Sequence, residues 1–374
     1  MIKILFLIPT LGHGGAERVL VNLVNHMDKS VFDITVQTMF DTGIYQSQLD
    51  KKVKYIGGLP FYFRGNTVLY KLLPPHLLYK LYIKKDYDII VSYLQGTSAR
   101  VVSGCTRPDT KLISWVHIQL VNEQQAYQVF RSKKEAQECY ECFDEIACVS
   151  ETVKEAFIKW FNVVCPINVY YNTVETEVIK NKAKEIVDDI VFSKEQFNIV
   201  SVGKLIKIKG YDRLVRILKK LREDGLNVHV YIVGIGEEQE KLQKMIDDFG
   251  LHEHWTFVGF RENPYKYVDK ADLYVCSSHR EGFSTAVTES IIVGTPVVST
   301  DCSGAKELLG YNNEYGIVVE NTEEALYHGI KKMIADKDLY NKYKNGMSKR
   351  ADKFCTSETV KKVEDMLKDI VGRR

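Results

Sequence analysis

Residues 198–227 read NIVSVGKLIKIKGYDRLVRILKKLREDGLN. The stretch opens as a short, nearly continuous apolar run, turns at Gly203 and Gly210, and becomes a different pattern from Tyr211 onward. There apolar residues recur at three- and four-residue spacing, and Gly225 fits the place where a helix stops. A continuous apolar strand leading through glycines into an amphipathic helix is the repeating unit of a parallel sheet covered on both faces.

The same unit opens the chain, where IKILFLI (2–8) runs into Gly12, Gly14 and Gly15 and then a helical pattern. Further strands are expected at 33–39, 88–93, 111–117, 145–150, 228–234, 255–259, 272–278 and 296–300, with helical patterns between them. A length of 374 residues exceeds what one core supports. Between the two series, YYNTVETEVIKNKAKEI (170–186) begins polar and irregular, as a hinge would. The expected fold class is therefore α/β, with two Rossmann-like parallel-sheet domains facing across a cleft. The first would cover 1–175, with a final helix over about 357–374 packing back on it, and the second 176–356.

Composition narrows the function classes. The chain is 45% hydrophobic and 27% charged, and its net charge is +2, which argues against bulk nucleic-acid binding. No run of about 18 apolar residues is present, so no spanning helix is expected. The N-terminal apolar stretch is short and is followed by GHGGAERVL rather than a cleavage pattern, so it reads as a strand. Eight cysteines are scattered, and only Cys139 and Cys142 have C-x-x-C spacing. A zinc site needs four ligands and no second pair accompanies them, so reduced thiols in a cytoplasm are expected.

Ligands in such sheets bind beyond the carboxyl ends of strands, and four clusters fall there. In GHGGAERV (12–19), Gly14 and Gly15 would let backbone amides approach an anion at a helix start, although a tight turn without a ligand reads equally well. It fails as a dinucleotide fingerprint, because Glu17 stands where the third glycine belongs. In 201–212, Lys204 and Lys209 flank a loop after a strand, where two ammoniums would neutralise a diphosphate or simply be solvated. VGIGEEQEK (233–241) reads as a structural strand-to-helix turn. In HREGFSTAVTES (279–290), Glu281 precedes a helix that Ser284 or Thr285 would cap, and Glu289 lies inside it. Two carboxylates so placed, with an anion-binding helix start between them, suit the two ends of a nucleotide-sugar better than an acid–base pair on one bond.

Taken in order, these motifs resemble the retaining glycosyltransferases of family 4, which have the two-domain GT-B fold. Glu281 and Glu289 meet that family's E-x7-E signature; Gly203-Lys204-Leu205 with Lys209-Gly210 meets its basic loop. Gly14-Gly15-Ala16-Glu17 meets its N-terminal loop, and GAKEL (304–308) its downstream segment. The resemblance implies transfer of a hexosyl group from a nucleotide-sugar, with UDP the commonest nucleotide, to an acceptor hydroxyl with retained configuration. No cofactor and no metal are implied. It assigns Lys204, Lys209, Gly15 and the amides of Ser284 and Thr285 to the diphosphate, and Glu289 to the ribose. Glu281, with Gly282 and Phe283 beside it, takes the transferred sugar, Arg261 the base through its backbone, and His117 the donor sugar. Lys204 stands where arginine is frequent, and Ser284, Thr285 and Ser290 replace glycine, leucine and alanine. Those last three changes lie beside the sugar, where they bear on its identity. Asp86-Tyr87-Asp88 has the spacing of a metal-binding Asp-x-Asp but reads as a strand entry.

Residues 51–85 carry eight Lys/Arg and no Asp or Glu, interleaved with Tyr, Phe and Leu. This suits docking on an anionic membrane surface, peripheral to the inner face of a cell membrane, or a helix packed on its domain with lysines solvated. With docking, the acceptor would be a lipid-linked saccharide, as in cell-surface polysaccharide or glycolipid assembly. The alternatives from other classes are a non-catalytic GT-B partner that stabilises a transferase, and a nicotinamide-dependent oxidoreductase.

Overall fold

The computed structural model describes residues 1–12, 14–60 and 70–373. It divides into two compact units, Met1–Val174 with Thr356–Arg374, and Glu175–Cys355. In the first, β1 (Ile2–Ile8), β2 (Phe32–Thr38), β3 (Lys54–Ile56), β4 (Ile89–Ser92), β5 (Lys111–Val116), β6 (Glu145–Cys148) and β7 (Ile167–Val169) form one sheet. Its order among the described residues is β3-β2-β1-β4-β5-β6-β7, and every pairing is parallel. In the second, β8 (Phe197–Val202), β9 (Val228–Val233), β10 (Trp255–Gly259), β11 (Leu273–Cys276), β12 (Val297–Thr300) and β13 (Ile317–Val319) follow the same plan. Their order is β10-β9-β8-β11-β12-β13, again parallel throughout.

The expected α/β class with two Rossmann-like parallel sheets is what the chain forms. Central strands are buried on both faces, as in β1, where Ile4 through Ile8 have no exposed surface. In each sheet the winding direction changes beside the first strand, between β1 and β4 and between β8 and β11. These switch points open a crevice at the carboxyl ends of the strands.

Three strands not anticipated, β3, β7 and β13, are three residues long and lie at sheet edges. So short a run shows no period that would separate it from a loop. The helix Thr356–Gly372 belongs to the first unit and buries Val360, Val363, Met366, Leu367 and Ile370, an i, i+3, i+4 stripe. It is pinned where Thr356 Oγ1 donates to Val174 O at 2.7 Å and Glu364 Oε1 accepts from the Asp28 N–H at 2.6 Å. Arg373 Nη1 meets Glu145 Oε2 at 2.9 Å, and that glutamate is fully buried. No helix of the described residues is long and apolar enough to cross a membrane. Of the basic segment 51–85, residues 61–69 lie outside the described residues.

Candidate active site

In the second unit, β8 and β11 are neighbours, so the loops after them lie side by side at the switch point. The loop after β8 carries Lys204, a short 3-10 turn at Lys207–Lys209, and Gly210. Gly210 adopts φ +65°, a left-handed conformation favouring glycine, and begins the helix Tyr211–Glu223. A Cβ there would stand 2.2 Å from Ser277 O, so no larger residue fits between the two loops. The backbones are also cross-linked: the His279 N–H donates to Ile208 O at 2.8 Å, and Ser277 Oγ to Lys209 O at 2.8 Å.

This clamp brings together two residues separated by 72 positions. Lys209 Nζ donates to Glu281 Oε1 at 2.7 Å, and Ser278 Oγ donates to the same oxygen at 2.6 Å. Both side chains are largely enclosed. Burial pushes the Lys209 ammonium toward losing its proton, but the Glu281 carboxylate outweighs that and raises its pKa above the usual lysine value. Glu281 Oε2 makes no hydrogen bond among the described residues, so one carboxylate oxygen is held and the other is open to a further donor. Lys204 is exposed and makes no ion pair among the described residues.

The loop from Arg280 to Phe283 leads into the helix Thr285–Val293. Ser284 is the residue that caps it, its hydroxyl accepting from the Val287 N–H at 3.3 Å. That leaves the N–H groups of Thr285 and Ala286 without intrahelical partners at the positive end of the helix dipole. The helix stops at Gly294 with φ +95°, a left-handed conformation that favours glycine. Glu289 is buried one turn in, where the Tyr265 hydroxyl donates to its Oε1 at 3.2 Å. Arg261 lies at the mouth of β10 with its guanidinium on Asp189 Oδ2 at 2.8 and 3.0 Å, which leaves its backbone rather than its side chain for another partner.

Several further residues support this site. Thr300 Oγ1 donates to Ser278 O at 2.7 Å, and Ser303 Oγ to Gly282 O at 2.7 Å, so the end of β12 and the loop after it hold the Glu281 loop. Gly304, in GAKEL, lies against the Phe283 ring, where a Cβ would come within 2.7 Å. Arg213 is buried, contacts His279 Nδ1 and donates to Asn321 Oδ1 at 2.8 Å, while Asn321 Nδ2 donates to His279 O at 2.9 Å. The 233–241 turn is structural: Leu205 N donates to Ile235 O and Glu238 N to Leu205 O, so it braces the lysine loop.

Gly14, Gly15 and His117 lie in the first unit. Gly14 caps the helix Gly15–His26, beyond the end of β1. His117 follows β5, its backbone N–H donating to Gln95 Oε1 at 3.0 Å and its ring 4.7 Å from that of Tyr93. Burial drives its pKa down to about 3, so the imidazole is neutral, and its Nε2 is buried with no hydrogen-bond partner among the described residues. Asp88 accepts from the Lys3 N–H and Asp86 pairs with Arg107, so both carboxylates of the Asp-x-Asp spacing serve the strand entry. Cys139 lies on the helix Lys133–Glu141 and Cys142 caps its end; both are free thiols, the first buried and the second exposed.

Residues 13–178 match the family model Glycosyltransferase Family 4, and residues 182–350 match Glycosyl transferases group 1. A relative from Campylobacter jejuni is 30% identical over the whole of both chains. The chain belongs to glycosyltransferase family 4. That relative is named N-acetylgalactosamine-N,N'-diacetylbacillosaminyl-diphospho-undecaprenol 4-alpha-N-acetylgalactosaminyltransferase. Two solved structures are similar in fold. Anabaena HepE, solved with UDP, gives a TM-score of 0.77 at 20% identity, covering 98% of this chain and 100% of that one. Sucrose-phosphate synthase from Thermosynechococcus elongatus gives 0.80 at 14% identity, with both chains fully covered. Family membership displaces the nicotinamide oxidoreductase alternative, in keeping with the failed glycine fingerprint at 12–19.

Proposed function

We propose that this glycosyltransferase transfers a hexosyl group from a UDP-sugar to a hydroxyl of a lipid-linked saccharide, retaining the anomeric configuration and using no metal. The observation that carries the reading is the Lys209–Glu281 contact beside a helix start, at the switch point of the second unit. The Lys209 ammonium and the free amides of Thr285 and Ala286 present fixed positive charge where a departing diphosphate would gather negative charge. Lys204, exposed on the same loop, adds a second cation. Glu281, held through one oxygen, offers the other to a sugar hydroxyl, and Glu289 offers a buried carboxylate to the ribose. The C1–O bond to the diphosphate breaks, the acceptor oxygen bonds to C1 from the same face, and the acceptor proton passes to the departing phosphate oxygen. Neutral His117 is suited to hydrogen bonding rather than to acid catalysis. The lipid-linked acceptor is supported by the Campylobacter relative, whose name specifies a diphospho-undecaprenol substrate.

The test is incubation with a panel of UDP-hexoses and an undecaprenyl-diphosphate-linked saccharide in EDTA, followed by mass spectrometry. The expected result is a gain of one hexosyl unit on the acceptor with release of UDP. Transfer that appears only on adding a divalent metal contradicts the metal-free chemistry. An unaltered acceptor with every donor favours the non-catalytic partner reading instead.

A further inference from the structure

We propose that the first unit docks on an anionic lipid bilayer through one fixed leucine face, formed by Leu72, Leu73, Leu77 and Leu81. The proposal assigns a surface to the lipid-linked acceptor reading and rests on that reading for its purpose. These side chains are 69%, 36%, 42% and 54% exposed, all within ten residues. Single exposed leucines are ordinary on a protein surface, but four on one short turn and helix form a patch.

The patch is held in place. The helix Pro75–Tyr82 buries Leu78, Tyr79 and Tyr82 inward, which leaves Leu77 and Leu81, one turn apart, facing outward. The turn before it is fastened by two guanidinium groups. Arg100, fully buried, donates to Tyr70 O at 2.6 Å and Leu73 O at 2.9 Å, and pairs with Glu135 at 2.7 Å. Arg131 donates to Lys71 O at 2.6 Å and Leu72 O at 2.8 Å. Carbonyls fixed from within cannot turn to bury their leucines, so the apolar side chains remain facing water.

The charge around the face selects its occupant. Lys80, Lys84 and Lys85 are exposed, and Lys71 borders Leu72. The nearest acids along the chain are engaged, Asp86 with Arg107 and Asp88 with the Lys3 N–H. A second copy of this chain would set lysines against lysines, which disfavours a dimer through this face. An anionic bilayer supplies both what the leucines and what the lysines need, and stable peripheral anchoring takes two such signals.

Vesicle flotation tests this without donor or acceptor, so docking and transfer can fail separately. The protein should float with phosphatidylcholine–phosphatidylglycerol vesicles, not with phosphatidylcholine alone, and high salt should release it. Lys80→Glu/Lys84→Glu should lower partitioning more than tenfold, at about fivefold per lysine. Leu77→Asp/Leu81→Asp should abolish it, while the UDP-induced thermal shift stays that of the wild type in both variants. Equal flotation with neutral vesicles, or none with anionic vesicles at low salt, overturns the proposal. So does light scattering that shows a dimer which Leu77→Asp/Leu81→Asp converts to monomer.

Discussion

Replacing Lys209 with methionine is expected to leave the second unit folded and to lower kcat by about 10²–10³, the usual cost of losing one preorganised group that stabilises developing negative charge. The side chain reaches Glu281 at 2.7 Å from a loop whose backbone is fastened independently, through Ser277 and Ile208, so the loop keeps its path when the ammonium is removed. Lys209→Arg restores charge but not shape, since a planar fork replaces a point charge in an enclosed space, and should recover only part of the rate. The sign of the pKa shift adds a second check. The folded value of Lys209 is raised above 10.5, so the ammonium and the stability that its ion pair contributes persist at all lower pH. Both are lost only as pH rises through the folded value. The kcat profile of the wild type should therefore show no alkaline limb from Lys209 below about pH 10. A decline centred near neutrality, absent in Lys209→Met, would contradict this assignment.

Arg100→Met is expected to be the most damaging single change in the first unit, at about 3–5 kcal/mol, because it breaks an ion pair whose guanidinium is fully buried and takes the donor from two backbone carbonyls. The guanidinium has no exposed surface; its loss removes the partner of the Tyr70 and Leu73 carbonyls and leaves Glu135 the Arg131 N–H at 2.6 Å and the Arg131 guanidinium at 3.9 Å. Glu135 alone would be pushed up by burial. Its bonds to Arg100 and to the Arg131 N–H reverse that and hold its pKa below 4.5. A carboxylate depressed on folding contributes stability that is present above its unfolded value and is lost as pH falls through the folded one. Urea midpoints of the wild type should therefore drop below about pH 4.5, and Arg100→Met should lack this part of the acid sensitivity. Identical urea midpoints for the two proteins would show that the pair carries no stability. The same substitution should weaken vesicle binding, since it releases the turn that carries Leu72 and Leu73.

The strands, helices and glycine turns that carry the two sheets were legible because β1, β4, β8, β9 and β11 are buried on both faces and spell continuous apolar runs. The edge strands β3, β7 and β13 were not, since three half-buried residues carry no periodic signal. Within the site, the positions of Lys204, Lys209 and Glu281 after strands could be read locally. The bond between Lys209 and Glu281 could not, because it follows from β8 and β11 being neighbours, and adjacency of strands 70 residues apart is a property of topology rather than of either segment. Tyr265 on Glu289 and Asp189 on Arg261 were likewise invisible, each partner lying in a stretch with no motif of its own. The Arg213–His279–Asn321 support was hidden for a further reason. A buried arginine inside an amphipathic helix pattern reads as a solvated cation until the packing around it is known.

Same-face transfer from a nucleotide-sugar at the Lys209–Glu281 site leaves a signature in the product's anomeric configuration. The most direct measurement is the proton NMR spectrum of the first product formed from an α-linked UDP-hexose in EDTA. An α-linked product is expected from the first turnovers, formed by the wild type and not by Glu281→Gln. A β-linked first product would contradict it, because inversion requires attack from the opposite face and a base there to take the acceptor proton.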